Sequence, residues 1–319
     1  MNFLLDEMTF LRYYAPIVIE SSKRGNTCKF FIRPSRKYNC PSIEKNKNQL
    51  LKFCNENNVE IYDAGEIDSH PGLTFLIEGV MRDLLNFKHH SVSLTYMTDF
   101  RISYKSYVND VDNIIFPSEK FANFYGTVSN KNLYLGSPKY DINIEKKAVC
   151  EYYNLKEDEN YCLIVYPKER DQSKINVDKI IRVLRKKGLV PIIKSRGKDR
   201  VFRNHDCKIF KDEKWHPHTT LELLNVCDLV VNTGSTTIKE AIMSEVPVIN
   251  FDIKSHHKHL GFLYEYNFCI DQKEYSEKDL EYAIEKLLGK DFREDFNLCK
   301  VSDLFLGNST KRILEYFDD

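Results

Sequence analysis

The densest concentration of potential chemistry lies between Thr233 and Glu240, in the run TGSTTIKE. The chain turns at Thr233-Gly234-Ser235-Thr236-Thr237, and Gly234, having no Cβ, lets the backbone approach a ligand closely. Ser235, Thr236 and Thr237 offer hydroxyls and main-chain N–H groups where a helical pattern begins at Ile238. Unpaired N–H groups and the positive end of a helix dipole favour an anion there. Glu240 follows in the first turn, where a carboxylate can accept hydrogen bonds from a ribose diol. The same residues also make a well-capped helix, since Ser and Thr are ordinary N-caps and an early Glu compensates the dipole. On residue chemistry alone both readings stay open.

This turn needs elements to hold it. The apolar run Leu229 to Val231 predicts a buried strand before it, and Pro247 to Phe251 a second strand after a helix ending near Ser244. Together they form a strand–loop–helix–strand unit of a parallel sheet. Upstream, Tyr161 to Tyr166 predicts a strand followed by Pro167-Lys168-Glu169-Arg170-Asp171, a loop expected to point into an interdomain cleft. Val177 to Lys187 predicts a helix with a basic end, Leu189 to Ile193 a strand, Cys207 to Phe210 another, and Thr220 to Asn225 a helix. Tyr275 to Leu288 predicts a surface helix opening at Ser276.

The N-terminal half alternates in the same way. Asn2 to Leu5, Cys28 to Ile32 and Val59 to Tyr62 predict strands. Between them fall helical patterns, one from Met8 to Lys23, the other from Ile43 to Asn57. That order implies a doubly wound parallel sheet with right-handed crossovers. Pro16 inside the first helix predicts a kink or a split. Thr74 to Ile77 reads either as a strand or as the start of a helix running to Leu85, with the helix preferred; Ser91 to Tyr96 and Asn113 to Phe116 read as strands, and Asn132 to Leu135 leads into Gly136-Ser137-Pro138-Lys139-Tyr140-Asp141.

The whole stretch Cys227 to Asp252 resembles the donor-binding segment of GT-B glycosyltransferases and their relatives, where a Gly-Ser/Thr-rich turn holds a pyrophosphate and a Glu beyond it binds the ribose. The runs IIFPSEKFANFYG and LYLGSPKYD resemble the closing strands of an N-terminal GT-B domain and its turn into the linker. The CDP-glycerol glycerophosphotransferase-like and UDP-N-acetylglucosamine 2-epimerase-like branches are the nearest in pattern. The resemblance implies an α/β fold of two Rossmann-like, doubly wound domains facing a cleft. Residues 1–142 would form the acceptor side, 143–159 a linker, 160–306 the donor side, and 307–319 a helix returning to the first domain.

By that resemblance Thr233, Gly234, Ser235, Thr236 and Thr237 are the pyrophosphate loop and Glu240 the ribose ligand. Arg196, in the basic turn Lys194-Ser195-Arg196-Gly197-Lys198, becomes a phosphate contact. His216, beside Trp215 and His218, becomes a contact to the base. The H-x-H spacing has no acidic partner to complete a metal site, and His256, His257 and His259 are read as a polar lid over the donor rather than as ligands. No metal and no obligatory cofactor is expected. The donor is a nucleotide sugar, with a UDP-sugar the expected form. The acceptor is open among a glycan, a lipid-linked intermediate, a protein and a modified nucleic acid base. Sugar transfer to a hydroxyl needs a base: Asp99, expected at a strand end, is the first candidate, with Glu78 and Asp6 next, although Asp also serves ordinary turns.

The first domain departs from these relatives. The glycerophosphotransferases carry a His-Gly pair after the fourth or fifth strand, where this chain reads Thr95-Tyr96-Met97-Thr98-Asp99. Glycosyl transfer is therefore the leading expectation. Sugar-nucleotide epimerisation, CDP-polyol phosphotransfer and a non-catalytic binding module stand as alternatives.

Composition bounds the rest. The 319 residues suit two α/β domains. Lys plus Arg equals Asp plus Glu at 47 each, so no global field draws the chain to nucleic acid or an anionic membrane. No apolar run approaches 18 residues, and the N-terminus MNFLLDEMTF is acidic where a signal peptide is basic. The nine cysteines include no CxxC pair, which predicts reduced thiols and a cytoplasmic setting.

Overall fold

The computed structural model describes residues 1–33, 43–78, 89–96, 108–124, 126, 129–196, 201, 205–252, 263, 266–271, 275–291 and 301–318. They divide into two compact units, Met1–Ile142 with Ser302–Asp319, and Asn143–Val301.

Unit 1 is built on a parallel sheet of seven strands: β1 (Asn2–Leu5), β2 (Cys28–Ile32), β3 (Val59–Asp63), β4 (Thr74–Ile77), β5 (Ser91–Leu94), β6 (Asn113–Phe116) and β7 (Asn132–Tyr134). Their order is β3-β2-β1-β4-β5-β6-β7. The central strands are buried along their whole length; β1 and β4 read as near-continuous apolar runs, as expected for strands covered on both faces, while β5, SVSL, alternates serine with apolar residues. Helix α1 (Leu11–Lys23) follows a 3-10 turn at Met8–Phe10, and α2 (Lys47–Glu56) follows one at Glu44–Asn46. Helix α1 runs unsplit through Pro16. Pro has no N–H to give the preceding turn, but the helix is clamped by burial of Leu11, Tyr14, Ala15, Ile17 and Val18.

Of the two readings of Thr74–Ile77, the structure takes the strand and overturns the preferred helix. The segment is a strand hydrogen-bonded between β1 and β5, with all four side chains buried. An apolar run this short carries no period that separates strand from helix, and its central place in the sheet decides the outcome.

The sheet is closed by α3 (Glu119–Phe124) and by the C-terminal chain. Leu306 N donates to Pro117 O at 3.1 Å, and Thr310 N donates to Asp141 Oδ2. Gly136 has φ +96°, and a Cβ there would meet Leu306 O at 2.6 Å and Ser309 Cβ at 2.8 Å. Only glycine fits both that backbone and that approach. Phe317 of the last helix packs edge-on against Phe75 with centroids 6.0 Å apart.

Unit 2 opens with α4 (Lys146–Tyr153), which is tied into it: Tyr153 Oη donates to Glu222 Oε2 at 2.5 Å. Its parallel sheet comprises β8 (Tyr161–Val165), β9 (Val190–Lys194), β10 (Lys208–Phe210), β11 (Cys227–Asn232), β12 (Val248–Asp252) and β13 (Phe268–Asp271), in the order β10-β9-β8-β11-β12-β13. Helix α5 (Val177–Lys186) starts at Asn176, whose side chain accepts from Lys179 N. Helix α6 spans Thr219–Val226 and α7 spans Thr237–Met243. Helix α8 (Glu277–Leu287) starts on a capping box between Ser276 and Asp279.

The apolar stripes of α5 and α8 pack with Ile164, Ile193, Leu229 and Val231 in one core. On the water side the two helices are laced by Arg182–Glu277 at 2.9 Å, Lys186–Glu281 at 2.6 Å and Lys187–Glu285 at 2.6 Å. The seven described cysteines, Cys28, Cys54, Cys150, Cys162, Cys207, Cys227 and Cys269, are free thiols. Burial pushes those of Cys162 and Cys227 well up, away from the thiolate form that reacts. No helix among the described residues is long and apolar enough to cross a membrane.

Candidate functional site

In a doubly wound sheet the chain runs outward on one side of its first strand and then returns to run outward on the other. The two loops at that reversal diverge and leave a crevice at the carboxyl ends of the strands. In unit 2 the reversal falls between β8 and β11. Residues Thr233–Thr236 leave the carboxyl end of β11 there and lead into α7.

Hydrogen bonds from three strands shape the turn. Thr233 Oγ1 donates to Val165 O, the last residue of β8, at 2.6 Å. Asn232 Oδ1 accepts from Ser235 N at 3.3 Å, while Asn232 Nδ2 donates to Asn250 Oδ1 of β12 at 2.7 Å. Ser235 Oγ accepts from Thr237 N at 3.3 Å and lies 3.0 Å from Thr237 Oγ1. Gly234 takes φ +75°, the left-handed conformation that lets the chain double back.

These bonds sort the five residues expected to meet a pyrophosphate. Thr233 is 3% exposed with its hydroxyl turned to β8, so its side chain shapes the turn. Thr237 is buried too, and Ser235 and Thr236 form the accessible tip. The N–H groups of Ser235, Thr237, Ile238 and Lys239 are taken within the turn by Asn232 Oδ1, Ser235 Oγ, Ser235 O and Thr236 O. Those of Gly234 and Thr236 are not among them. Glu240 lies one turn along α7 and is buried.

The neighbouring strand ends carry the other expected residues. Arg196 follows β9 and is half-buried. Lys194, expected as one of three cations in that loop, is instead buried, its ammonium 2.8 Å from Asp212 Oδ1. His218 Nε2 lies 3.0 Å from the same oxygen. Asp212 therefore stands beside His218, with Lys194 as its counter-charge. Among the described residues no group of three His, Cys, Asp or Glu side chains could hold a metal ion. His216 is half-buried, and burial lowers its pKa to about 4, so its ring is neutral at pH 7. Trp215, at 6% exposure, is packed as core rather than laid open as a stacking platform. Asp171, after β8, is buried, and although burial opposes its charge, Lys174 and Arg170 hold its carboxyl below the usual range.

Unit 1 has its own reversal, between β1 and β4. Asp6 follows β1 and stands 3.9 Å from Arg33 Nε. Glu78 follows β4 with φ +45°, a left-handed backbone that costs a non-glycine residue about 1–3 kcal/mol. Its Oε1 accepts from Tyr96 N at 2.6 Å, and the side chain is buried. Tyr96 in turn meets Phe10 and Tyr13 edge-on, with centroids 6.3 and 5.6 Å away. Asp99 and the histidines His256, His257 and His259 lie outside the described residues.

Asn232, Asn250 and Asp212 were not singled out by the sequence. The one local signal is a polar Asn in each of two apolar strands, at the end of β11 in VVN and in the middle of β12 in VINFD. Their pairing is fixed only when β11 and β12 align Asn232 with Asn250.

No protein-family model matches the chain, and no curated protein does either. Solved structures do. The UDP-GlcNAc 2-epimerase of Methanocaldococcus jannaschii superposes with a TM-score of 0.68 at 14% identity, covering 99% of each chain. The wall teichoic acid polymerase TagF, in a structure soaked with CDPG, gives 0.67 at 11% identity, covering 99% of this chain and 87% of that one. The glycosyltransferase of kitacinnamycin gives 0.65 at 10% identity, covering 99% and 97%. The chain has the GT-B fold, shared by glycosyltransferases and UDP-GlcNAc 2-epimerases.

Proposed function

We propose that the protein is a glycosyltransferase that moves a sugar from a nucleotide-sugar donor to an acceptor hydroxyl. The observation that carries this reading is the turn at the β8/β11 reversal, a Gly- and hydroxyl-rich loop held by side-chain hydrogen bonds where doubly wound sheets take ligands. In this reading the tip Ser235–Thr236 and the N–H groups around Gly234 receive the pyrophosphate, with Thr233 and Thr237 shaping the turn. Glu240 takes the ribose diol, Arg196 adds charge at the phosphates, and neutral His216 contacts the base. A UDP-sugar is the expected donor, since a solved structure of the Methanocaldococcus jannaschii epimerase holds UDP-GlcNAc and UDP.

In the transfer, the acceptor oxygen forms a bond to the anomeric carbon and the bond from that carbon to the phosphate oxygen breaks. The nucleoside diphosphate leaves with the electron pair, its charge met by the turn's N–H groups and Arg196. The hydroxyl proton passes to a carboxylate of unit 1, for which Asp99 and Glu78 are the candidates. Epimerisation and CDP-polyol phosphotransfer are the competing reactions, because an epimerase and the TagF polymerase share the fold. A binding module without catalysis is the third alternative.

One experiment separates them. The protein is incubated with a panel of nucleotide-activated sugars and polyols and followed by phosphorus NMR. Release of a nucleoside diphosphate, by transfer or slow hydrolysis, is the expected result. Nucleoside monophosphate would indicate phosphotransfer, and a changed sugar still attached to its nucleotide an epimerase. Shifted signals without turnover would leave only a binding module. A panel without any effect would overturn the donor-site reading.

A further inference from the structure

The nucleotide-binding turn is held partly from outside itself. The Ser235 N–H is a donor, so the Asn232 side chain must present its oxygen to it, which it does at 3.3 Å. The Asn232 amide nitrogen then faces the opposite way, where Asn250 Oδ1 accepts from it at 2.7 Å. The two residues are register partners in the parallel pair of β11 and β12, and both are at least 98% buried. An asparagine amide has an acceptor end and a donor end that differ little in shape. Turned over, Asn232 would direct its NH2 at the Ser235 N–H, donor against donor. The acceptor on Asn250 holds the donor end of that amide and so reinforces the orientation that Ser235 N–H requires.

We infer that Asn250 is a positioning residue for the nucleotide-binding turn, acting from the neighbouring strand through the Asn232 amide to fix the Ser235 N–H. The inference rests on reading the turn as a nucleotide site, and it adds a residue that need not touch the nucleotide at all. A donor phosphate at the tip meets a turn already in one conformation, so less ordering accompanies binding. In the absence of the acceptor, the turn samples a second arrangement in which Ser235 N–H is repelled.

The test uses the full-length chain and two readouts. Amide hydrogen exchange at Ser235 reports the turn directly, and titration with UDP, with CDP, ADP and GDP alongside, reports its consequence. Asn250→Ala, or Asn250→Leu where volume must be kept, should speed Ser235 exchange and raise the dissociation constant of the bound nucleotide, each about fivefold, the size of one hydrogen bond. Asn232→Ala should do the same. The double variant should be no worse than Asn232→Ala alone, since Asn250 acts only through that amide. Asn250→Asp keeps an oxygen acceptor in either protonation state, so Ser235 exchange should match the parent. Unchanged Ser235 exchange in Asn250→Ala, or effects that multiply in the double variant, would overturn the inference. Faster Ser235 exchange in a protein that binds no nucleotide would keep Asn250 as the anchor of the turn and overturn the nucleotide reading instead.

Discussion

The two sheets follow the same order over six strands, yet they finish differently where that order reverses. In unit 2 the loop after β11 carries neutral groups, an amide pair, four hydroxyls and a glycine, while the loop after β8 carries the charged run Lys168-Glu169-Arg170-Asp171. In unit 1 it carries carboxylates: Asp6 after β1, and Glu78 in a left-handed backbone with its carboxylate locked to Tyr96 N. The topology supplies a place at the carboxyl ends of the strands in both cases. Residue type then decides the work, with N–H groups suited to an anion and a fixed carboxylate suited to a proton.

If that division is correct, the largest effect belongs to Glu78. Glu78→Gln keeps an oxygen for Tyr96 N and so keeps the fold, but it removes the basic group. Turnover of the donor identified by phosphorus NMR should fall by about 10²–10⁴-fold, with nucleotide affinity unchanged. Full activity would remove Glu78 from the mechanism and leave Asp99 as the candidate base. Next comes Gly136→Ala, which strains a left-handed backbone and drives a methyl into Leu306 O and Ser309. It should destabilise unit 1 by about 3 kcal/mol. Thermal unfolding should then show a lowered transition, and if UDP binds unit 2 as proposed it should not restore it.

Part of the acid response should come from His216 in unit 2. His216 has a folded pKa of about 4, below its ordinary 6.5, because burial opposes its charge. The unfolded chain therefore binds more protons between pH 6.5 and 4, so stability is full above that window and is lost as pH falls through it. Urea unfolding should show about 2 kcal/mol less stability at pH 4 than at pH 7 from this group, and His216→Asn should flatten that part of the slope. The smallest effect lies in the exposed ladder between α5 and α8. Neutralising Glu281 should lower the melting temperature by no more than about 2 °C, an effect that disappears in 1 M salt.

Sequence and structure agree where the signal is local. The apolar runs of β8, β11 and β12, the turn at Gly234 and the helix start at Ser276 are each written in neighbouring residues, and each is found in the structure. What escaped depends on pairing across the sheet. Thr233 is indistinguishable in sequence from a ligand-facing hydroxyl until Val165 O is found 2.6 Å away. Lys194 looks like a loop cation until Asp212 folds against it. Thr74–Ile77 has no period of its own, and only its position between β1 and β5 makes it a strand.

In the proposed reading unit 2's turn holds the nucleotide and unit 1's carboxylate does not. Titrating UDP into the parent, Glu240→Ala and Glu78→Gln tests it most directly. The account predicts a dissociation constant at least about tenfold higher for Glu240→Ala, about 1.4 kcal/mol, and one unchanged for Glu78→Gln. Binding lost in Glu78→Gln and retained in Glu240→Ala would contradict it.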